Sequence, residues 1–285
     1  MKQIVILSGK GGTGKTVLTA SFAALARNAV FADCDVDAAD LHLLLKPEIK
    51  ETHQFQSGKK AKIDKKLCTE CGDCIEVCRF ASISSDFIVD SISCEGCAVC
   101  SYICPARAIE MEDNISGEWF ISETKYGPLV HAKLGIAEEN SGKLVSLVRQ
   151  NAKKIAEERN LDYVIIDGPP GIGCPVIASL SGVDLALIIT EPTLSGIHDM
   201  ERVAELARHF GVLAKVVINK YDINLKNSAE IKKICEAQNI ETLGELPFSE
   251  QVIQSLVKGS PIVEFCNDGI AKDIINLWNK IKWEK

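Results

Sequence analysis

Short, uninterrupted apolar runs alternate with longer amphipathic stretches along the chain. Lys2 to Leu7 (KQIVIL) ends at a Gly-rich turn, and Thr16 to Arg27 (TVLTASFAALAR) follows with helical spacing. Ala29 to Ala32, Asp162 to Ile166 (DYVII), Leu185 to Ile189 (LALII) and Lys215 to Ile218 (KVVI) repeat the strand pattern, with helical segments between them. Strands that lack polar alternation are buried on both faces, the condition of a parallel sheet covered by helices. The pattern therefore predicts an α/β fold with a doubly wound, mostly parallel sheet. Asn114 to Leu134, with Gly117 and Gly127-Pro128 as turn formers, predicts a β-hairpin. Near the end, Ile270, Ile274, Trp278 and Ile281 recur at helical spacing within the segment Ile270 to Trp283. Its polar face balances Lys272, Lys280 and Lys282 against Asp273 and Glu284, which favours a helix packed on the sheet over a membrane-seeking one.

The 285 residues, 46% hydrophobic and 25% charged, suit one or two globular domains. The longest aliphatic runs fall far short of the ~20 residues of a membrane span. No signal-peptide core follows Met1, so a cytoplasmic protein is expected. A net charge of −7 argues against nucleic acid as the main partner, because phosphate backbones reward clustered Lys and Arg. Twelve cysteines are many for a reducing compartment and point to metal rather than disulfides. Eight of them lie between Cys68 and Cys104, and this shift in composition marks an insert of about 59–111 within a main domain of 1–58 and 112–285. The insert opens with Lys59, Lys60, Lys62, Lys65 and Lys66. That basic stretch suits either an acidic electron donor or a solvated strand edge protected by lysines. The five histidines show no ligand spacing.

Gly9-Lys10-Gly11-Gly12-Thr13-Gly14-Lys15-Thr16 satisfies G-x-x-x-x-G-K-[ST] between a predicted strand and helix. Glycines let successive N–H groups converge on a β-phosphate and the helix N-terminus adds favourable potential. Lys15 then reaches the β and γ phosphates, and Thr16 offers its hydroxyl to Mg2+. Asp33-Cys34-Asp35 and Asp167-Gly168-Pro169-Pro170-Gly171 follow two of the strands. Carboxylates at the carboxyl ends of parallel strands converge on the crevice beside such a loop, although Asp also serves as a helix N-cap.

The insert holds Cys68-x2-Cys71-x2-Cys74-x3-Cys78 and Cys94-x2-Cys97-x2-Cys100-x3-Cys104-Pro105. The repeat resembles the bacterial two-cluster ferredoxins. That resemblance implies two 4Fe–4S clusters, one held by Cys68, Cys71, Cys74 and Cys104, the other by Cys94, Cys97, Cys100 and Cys78. Zinc is the alternative, but zinc sites use paired Cys-x-x-Cys knuckles rather than triplets. Arg79 stands where the first run would carry proline.

With Lys10 inside KGGTGKT, the chain resembles the deviant Walker A ATPases, the group of MinD, ParA, the nitrogenase iron protein and the Mrp-type cluster carriers. It is similar above all to MinD-superfamily ATPases with an inserted ferredoxin domain, on its Gly-Pro-Pro-Gly-Ile-Gly-Cys-Pro segment at 168–175 and Glu-Asn-Ser-Gly-Lys-Leu-Val at 139–145. The resemblance implies ATP/ADP and Mg2+ as ligands and an ATP-dependent homodimer. Lys10 would reach the phosphates of the facing subunit, Asp35 would orient the attacking water, and Asp167 would hold Mg2+ through water. Glu191-Pro192-Thr193, Asn219-Lys220 and Pro247-Phe248 would contact or surround adenine. Cys174, seven residues after Asp167, stands at the offset of a bridging-cluster cysteine in the nitrogenase iron protein. The companion cysteine, expected within 138–142, is missing. Cys174 is thus open to reading as a metal ligand at a dimer interface or as a small buried residue. The expectation is an ATP-hydrolysing iron–sulfur protein, either an ATP-gated electron donor or a metallocluster maturation factor, with an unknown redox partner or metalloprotein client. The alternative is a MinD- or ParA-like positioning ATPase that only carries clusters.

Overall fold

Each apolar run becomes a buried strand in the computed structural model, which describes residues 1–135, 141–267 and 269–281. The chain forms two units. One contains Met1–Thr52, Trp119–Lys133 and the described residues from Ser141 onward; the other contains His53–Glu118 with Leu134 and Gly135.

The first unit opens with β1 (Lys2–Ser8), α1 (Lys15–Leu25), β2 (Ala29–Asp33) and α2 (Leu41–Leu45). Strand β3 (Glu48–Ile63) carries the chain into the second unit, which holds α3 (Asp73–Val77) and α4 (Val99–Ile103), and β4 (Ile109–Thr124) carries it back. Then come β5 (Gly127–Leu134), α5 (Ser141–Glu158), β6 (Tyr163–Pro170), α6 (Cys174–Leu180), β7 (Leu185–Thr190) and α7 (Leu194–His209). The chain continues with β8 (Leu213–Asn219), α8 (Leu225–Ala237), β9 (Glu241–Leu246), α9 (Glu250–Lys258), α10 (Ile262–Phe265) and α11 (Ile270–Ile281). Among the described residues the strands hydrogen-bond in the order β3-β4-β5-β2-β6-β1-β7-β8-β9. From β5 to β9 every neighbouring pair is parallel. β4 and β5 are sheet neighbours joined by two residues, so they run antiparallel as a hairpin.

One side of the sheet packs Ile4, Ile6, Phe31, Ile165 and Leu187 against α1 and α11. Trp278 of α11 meets Phe22 of α1 at 5.2 Å and Tyr163 at 5.5 Å between ring centroids. Burial of Ile270, Ile274, Trp278 and Ile281 places the final helix on the core, as its spacing predicts; Lys282, Trp283 and Glu284 lie outside the described residues. The second unit has a much smaller core of Ala61, Cys74, Ile83, Cys94 and Ile109. A core that small needs staples such as metal or disulfide to be stable.

Three features differ from the sequence expectation. Strand β6 does not stop at Ile166 but runs through Asp167 to Pro170, because β2 and β1 supply partners there: Asp33 pairs with Asp167 and Ser8 with Pro170. Gly117 is inside β4, and the hairpin turns at Lys125-Tyr126, where the Thr124 hydroxyl accepts the Tyr126 N–H and donates to the Gly127 carbonyl. Strand β3 extends well before the lysine-rich strand edge that the sequence offered as one reading, and its pairing places residues 59 and 111, the expected insert boundaries, within β3 and β4.

Candidate functional site

The residues singled out in the sequence fall into two groups, one in each unit. In the first, the loop between β1 and α1 is shaped by Gly12 and Gly14, whose φ values of 77° and 96° exclude ordinary side chains. A Cβ on Gly9 would collide with Asp199, and one on Gly14 would lie 2.7 Å from Asn219 Nδ2. Asn219 in turn donates from Nδ2 to the Thr13 carbonyl at 2.8 Å, so the end of β8 braces the loop. Helix α1 starts at Gly14 with no side-chain cap, whereas Thr193 and Asn224 cap α7 and α8. The first N–H groups of α1 are therefore left to a ligand, and their dipole favours an anion.

Lys15 is 5% exposed, and its Nζ lies 3.8 Å from Asp35 Oδ2. Thr19, one turn along α1, donates to Asp167 Oδ1 at 3.0 Å. Asp167 Oδ2 and Thr13 Oγ1 are buried without hydrogen-bond partners. Burial pushes the Asp167 carboxyl up to about 6, against the lowering effect of Thr16, Lys15 and Thr19. Burial and the neighbouring Asp167 push Asp33 well above the usual carboxylate range, although Asp33 accepts the N–H groups of Leu41 and Asp35. Asp35 is also raised by burial, with Lys15 opposing. Three dehydrated carboxylates with one unpartnered oxygen fit a divalent cation. Among the described residues no three His, Cys, Asp or Glu side chains converge as the ligands of one ion. Mg2+ keeps its waters and binds through few protein groups plus substrate phosphates, and the unpartnered Asp167 Oδ2 is one such group. The sequence reading singled out Asp35 and Asp167 but gave Asp33 and Thr19 no separate role. Their signals were the last residue of a strand and a hydroxyl four residues after the loop lysine.

A cavity of about 210 Å³ adjoins the loop. Gly12, Gly14, Val17, Asn219, Lys220 and Pro247 line it together with Phe248 and the apolar side of α9. Glu191 and Pro192 are not among its lining residues. Glu191 instead binds Lys220 Nζ at 2.6 Å and Lys10 Nζ at 3.3 Å. Burial alone would raise its carboxyl, but the two lysines hold it below the usual range. Lys10 thus has a partner within its own chain. Pro192 offers its carbonyl to Asn227 Nδ2 at 3.0 Å. Cys174 is exposed as the first residue of α6, close to Gly142, where a Cβ would sit 3.3 Å from that of Cys174. Residues 138–140 lie outside the described residues.

In the second unit, one cavity is lined by Cys94, Cys97, Cys100 and Cys78, and another by Cys68, Cys71, Cys74 and Cys104. Each set joins the first three cysteines of one run to the fourth of the other. All eight are free thiols. Among the described residues neither set is gathered into a group that could hold a metal ion. Four thiols in each set equal the number of cysteine ligands that a 4Fe–4S cluster takes. The lysines around them have partners of their own: Lys62 pairs with Glu112 at 2.7 Å, Lys59 with Asp113 at 3.5 Å, Lys60 donates to the Cys94 carbonyl at 2.8 Å, and Lys65 donates to the Asp86 carbonyl. Lys59, Lys60 and Lys62 are thus engaged along the edge strand β3, and Lys65 just beyond it.

No helix among the described residues is long and apolar enough to cross a membrane. The profile of the CobQ/CobB/MinD/ParA nucleotide binding domain matches residues 4–262. An uncharacterized protein of Methanocaldococcus jannaschii is 35% identical over 284 residues, covering 98% of this chain and 96% of that protein. The septum site-determining protein MinD of Thermotoga maritima is 23% identical over 293 residues, covering 99% and 88%. Among solved structures, MinD of Pyrococcus horikoshii with Mg-ADP superposes with a TM-score of 0.61 at 16% identity, covering 99% of this chain and 96% of that one, a likeness of fold. The chain belongs to the CobQ/CobB/MinD/ParA nucleotide-binding family, as a MinD/ParA-like P-loop ATPase.

Proposed function

We propose that the chain binds and hydrolyses ATP in its first unit and couples nucleotide-dependent dimerisation to electron transfer through two 4Fe–4S clusters in its second. The observation that carries the reading is the sorting of eight cysteines into two cavities with the fourth ligand exchanged between runs. Lys15, the loop N–H groups and the open start of α1 hold the phosphates. Thr16 and Asp167 would hold Mg2+, whose charge would offset the raised carboxylates. Asp35, beside Lys15, accepts a hydrogen bond from the attacking water and orients it. Lys10 exchanges its Glu191 partner for phosphate oxygens of a second subunit. The clusters supply one-electron transfer when bound, and the partner is a redox protein or a metalloprotein under maturation.

A second reading is favoured by the comparisons: the relatives whose names state a role are septum site-determining proteins. In that reading the chain is a positioning ATPase that carries clusters without coupling. Anaerobically purified protein should hold about eight iron and eight sulfide per chain, four for each cluster, and stoichiometric zinc instead would sink the iron–sulfur reading. Lys15→Ala should lose most ATP affinity. Lys10→Ala should still bind ATP as a monomer but fail to dimerise in sedimentation runs. Cluster midpoint potentials measured with ADP and with ATP then decide between the readings, since superimposable values leave the positioning ATPase as the better account.

A further inference from the structure

The two cysteine sets are related by an internal repeat, so they can be compared position by position, taking both as 4Fe–4S sites as proposed above. Exposure does not separate them: each set has one buried, one exposed and two half-buried cysteines. The cysteine that crosses between runs does. Cys78 and Cys104 are followed at the same offset by Ser82-Ile83 and by Ala108-Ile109. Cys104 Sγ accepts the Ala108 N–H at 3.3 Å. Cys78 Sγ has, in addition, the Ser82 hydroxyl at 3.1 Å, and Ser82 is only 3% exposed. A cysteine bound to iron is a thiolate with no proton, so the hydroxyl must donate. Charge points the same way. The run from Cys68 to Cys78 contains Glu70, Asp73 and Glu76, whereas the run from Cys94 to Cys104 contains only Glu95; Asp73 lines the cavity of the Cys68 set and Glu95 that of the Cys94 set.

Reduction adds one negative charge to a cluster. A hydrogen bond donated to a ligand sulfur in a water-poor site stabilises that charge, and nearby carboxylates oppose it. We propose that Ser82 makes the site of Cys78, Cys94, Cys97 and Cys100 the higher-potential one of the pair. One electron delivered by a low-potential one-electron reductant then rests there: the Cys68-side site is oxidised as the Cys78-side site is reduced, with no bond or proton moved. Ser82 acts through the Cys78 sulfur.

The test is an EPR-monitored dithionite titration of anaerobic full-length protein whose iron and sulfide contents show both sites filled. Ser82→Ala should weaken reduction at the higher couple about tenfold, a fall of about 59 mV for one electron, and leave the lower couple in place. Ser82→Thr, which keeps the hydroxyl, should titrate as the parent does. Ala108→Ser should raise the lower couple. The inference is overturned if Ser82→Ala moves neither couple, only the lower one, or both equally. Should Ser82→Ala fail to load, an unmoved lower couple in Ala108→Ser overturns it instead. Folded parent protein that takes up no iron overturns the iron–sulfur reading itself, whereas two filled sites with unmoved potentials overturn only the role of Ser82.

Discussion

Asp167→Asn should make the nucleotide-free protein more stable at neutral pH, although it removes a residue of the candidate site. In the folded chain Asp167 is 1% exposed, and burial pushes its carboxyl up to about 6 from an ordinary 3.8. A carboxyl raised in the folded state contributes its full stability below the unfolded value and loses it as the pH rises through the folded one. At pH 7.5 the ionised group is therefore a burden. A shift of about two units at 1.36 kcal/mol each makes that burden about 3 kcal/mol. Asparagine keeps the shape, still accepts from Thr19, and removes the charge. For a chain of this size a gain of 3 kcal/mol raises the melting temperature of the first unit by roughly 6–12 °C. Calorimetry at pH 7.5 in EDTA without nucleotide should show that gain, and it should shrink as the pH falls from 6 toward 4, where the parent carboxyl becomes neutral. Mg-ATP should stabilise the parent by about 2.7 kcal/mol at a hundred times its dissociation constant, and the Asn protein by much less. A lower melting temperature for Asp167→Asn at pH 7.5, or the same difference at both pH values, would refute the argument that dehydrated charge dominates this site.

His131 is buried on β5 with its Nε2 3.0 Å from the Ser122 hydroxyl, and burial and the nearby His42 lower it to about 4. Its neutral form stabilises the fold fully above about 6.5 and is lost as the pH falls through 4, so His131→Gln should flatten the urea midpoint over that window, by up to about 3 kcal/mol. Trp278→Ala should cost about 3–5 kcal/mol through the cavity left against Phe22 and Tyr163, read from urea unfolding of the first unit. Gly14→Ala should abolish ATP binding in calorimetric titrations with the circular dichroism spectrum retained, because a Cβ meets Asn219 and strains a left-handed residue. Cys104→Ala should remove the EPR signal of the site built on Cys68, Cys71 and Cys74 before that of its sequence neighbours.

Whatever depends on local order was legible in the chain itself. Short continuous apolar runs such as VII and LALII, bounded by turn residues, have the length and composition of strands covered on both faces, and the loop from Gly9 to Thr16 between a strand and a helix has the pattern of a phosphate loop. The cysteine repeat likewise marked out two four-cysteine sets, because spacing is a local property, and the cavities sort the cysteines the same way. Contacts between distant segments required the fold. That β6 runs on through Asp167 follows from the partners β2 and β1 offer, and with it Asp33 comes to lie beside Asp167 and their dehydration to be shared. Lys10 and Lys220 meet on Glu191 because the loop after β1 and the ends of β7 and β8 adjoin, a convergence separated in sequence by more than 180 residues on one side. Strand β3 pairs with β4 alone and is polar over most of its length, so only Lys60-Ala61-Lys62-Ile63 shows the alternation of a strand in the sequence. The lysines of that strand looked free in the sequence and are engaged in the structure, since the partners Glu112 and Asp113 arrive on the neighbouring strand, and register, which no single segment encodes, decides who meets whom.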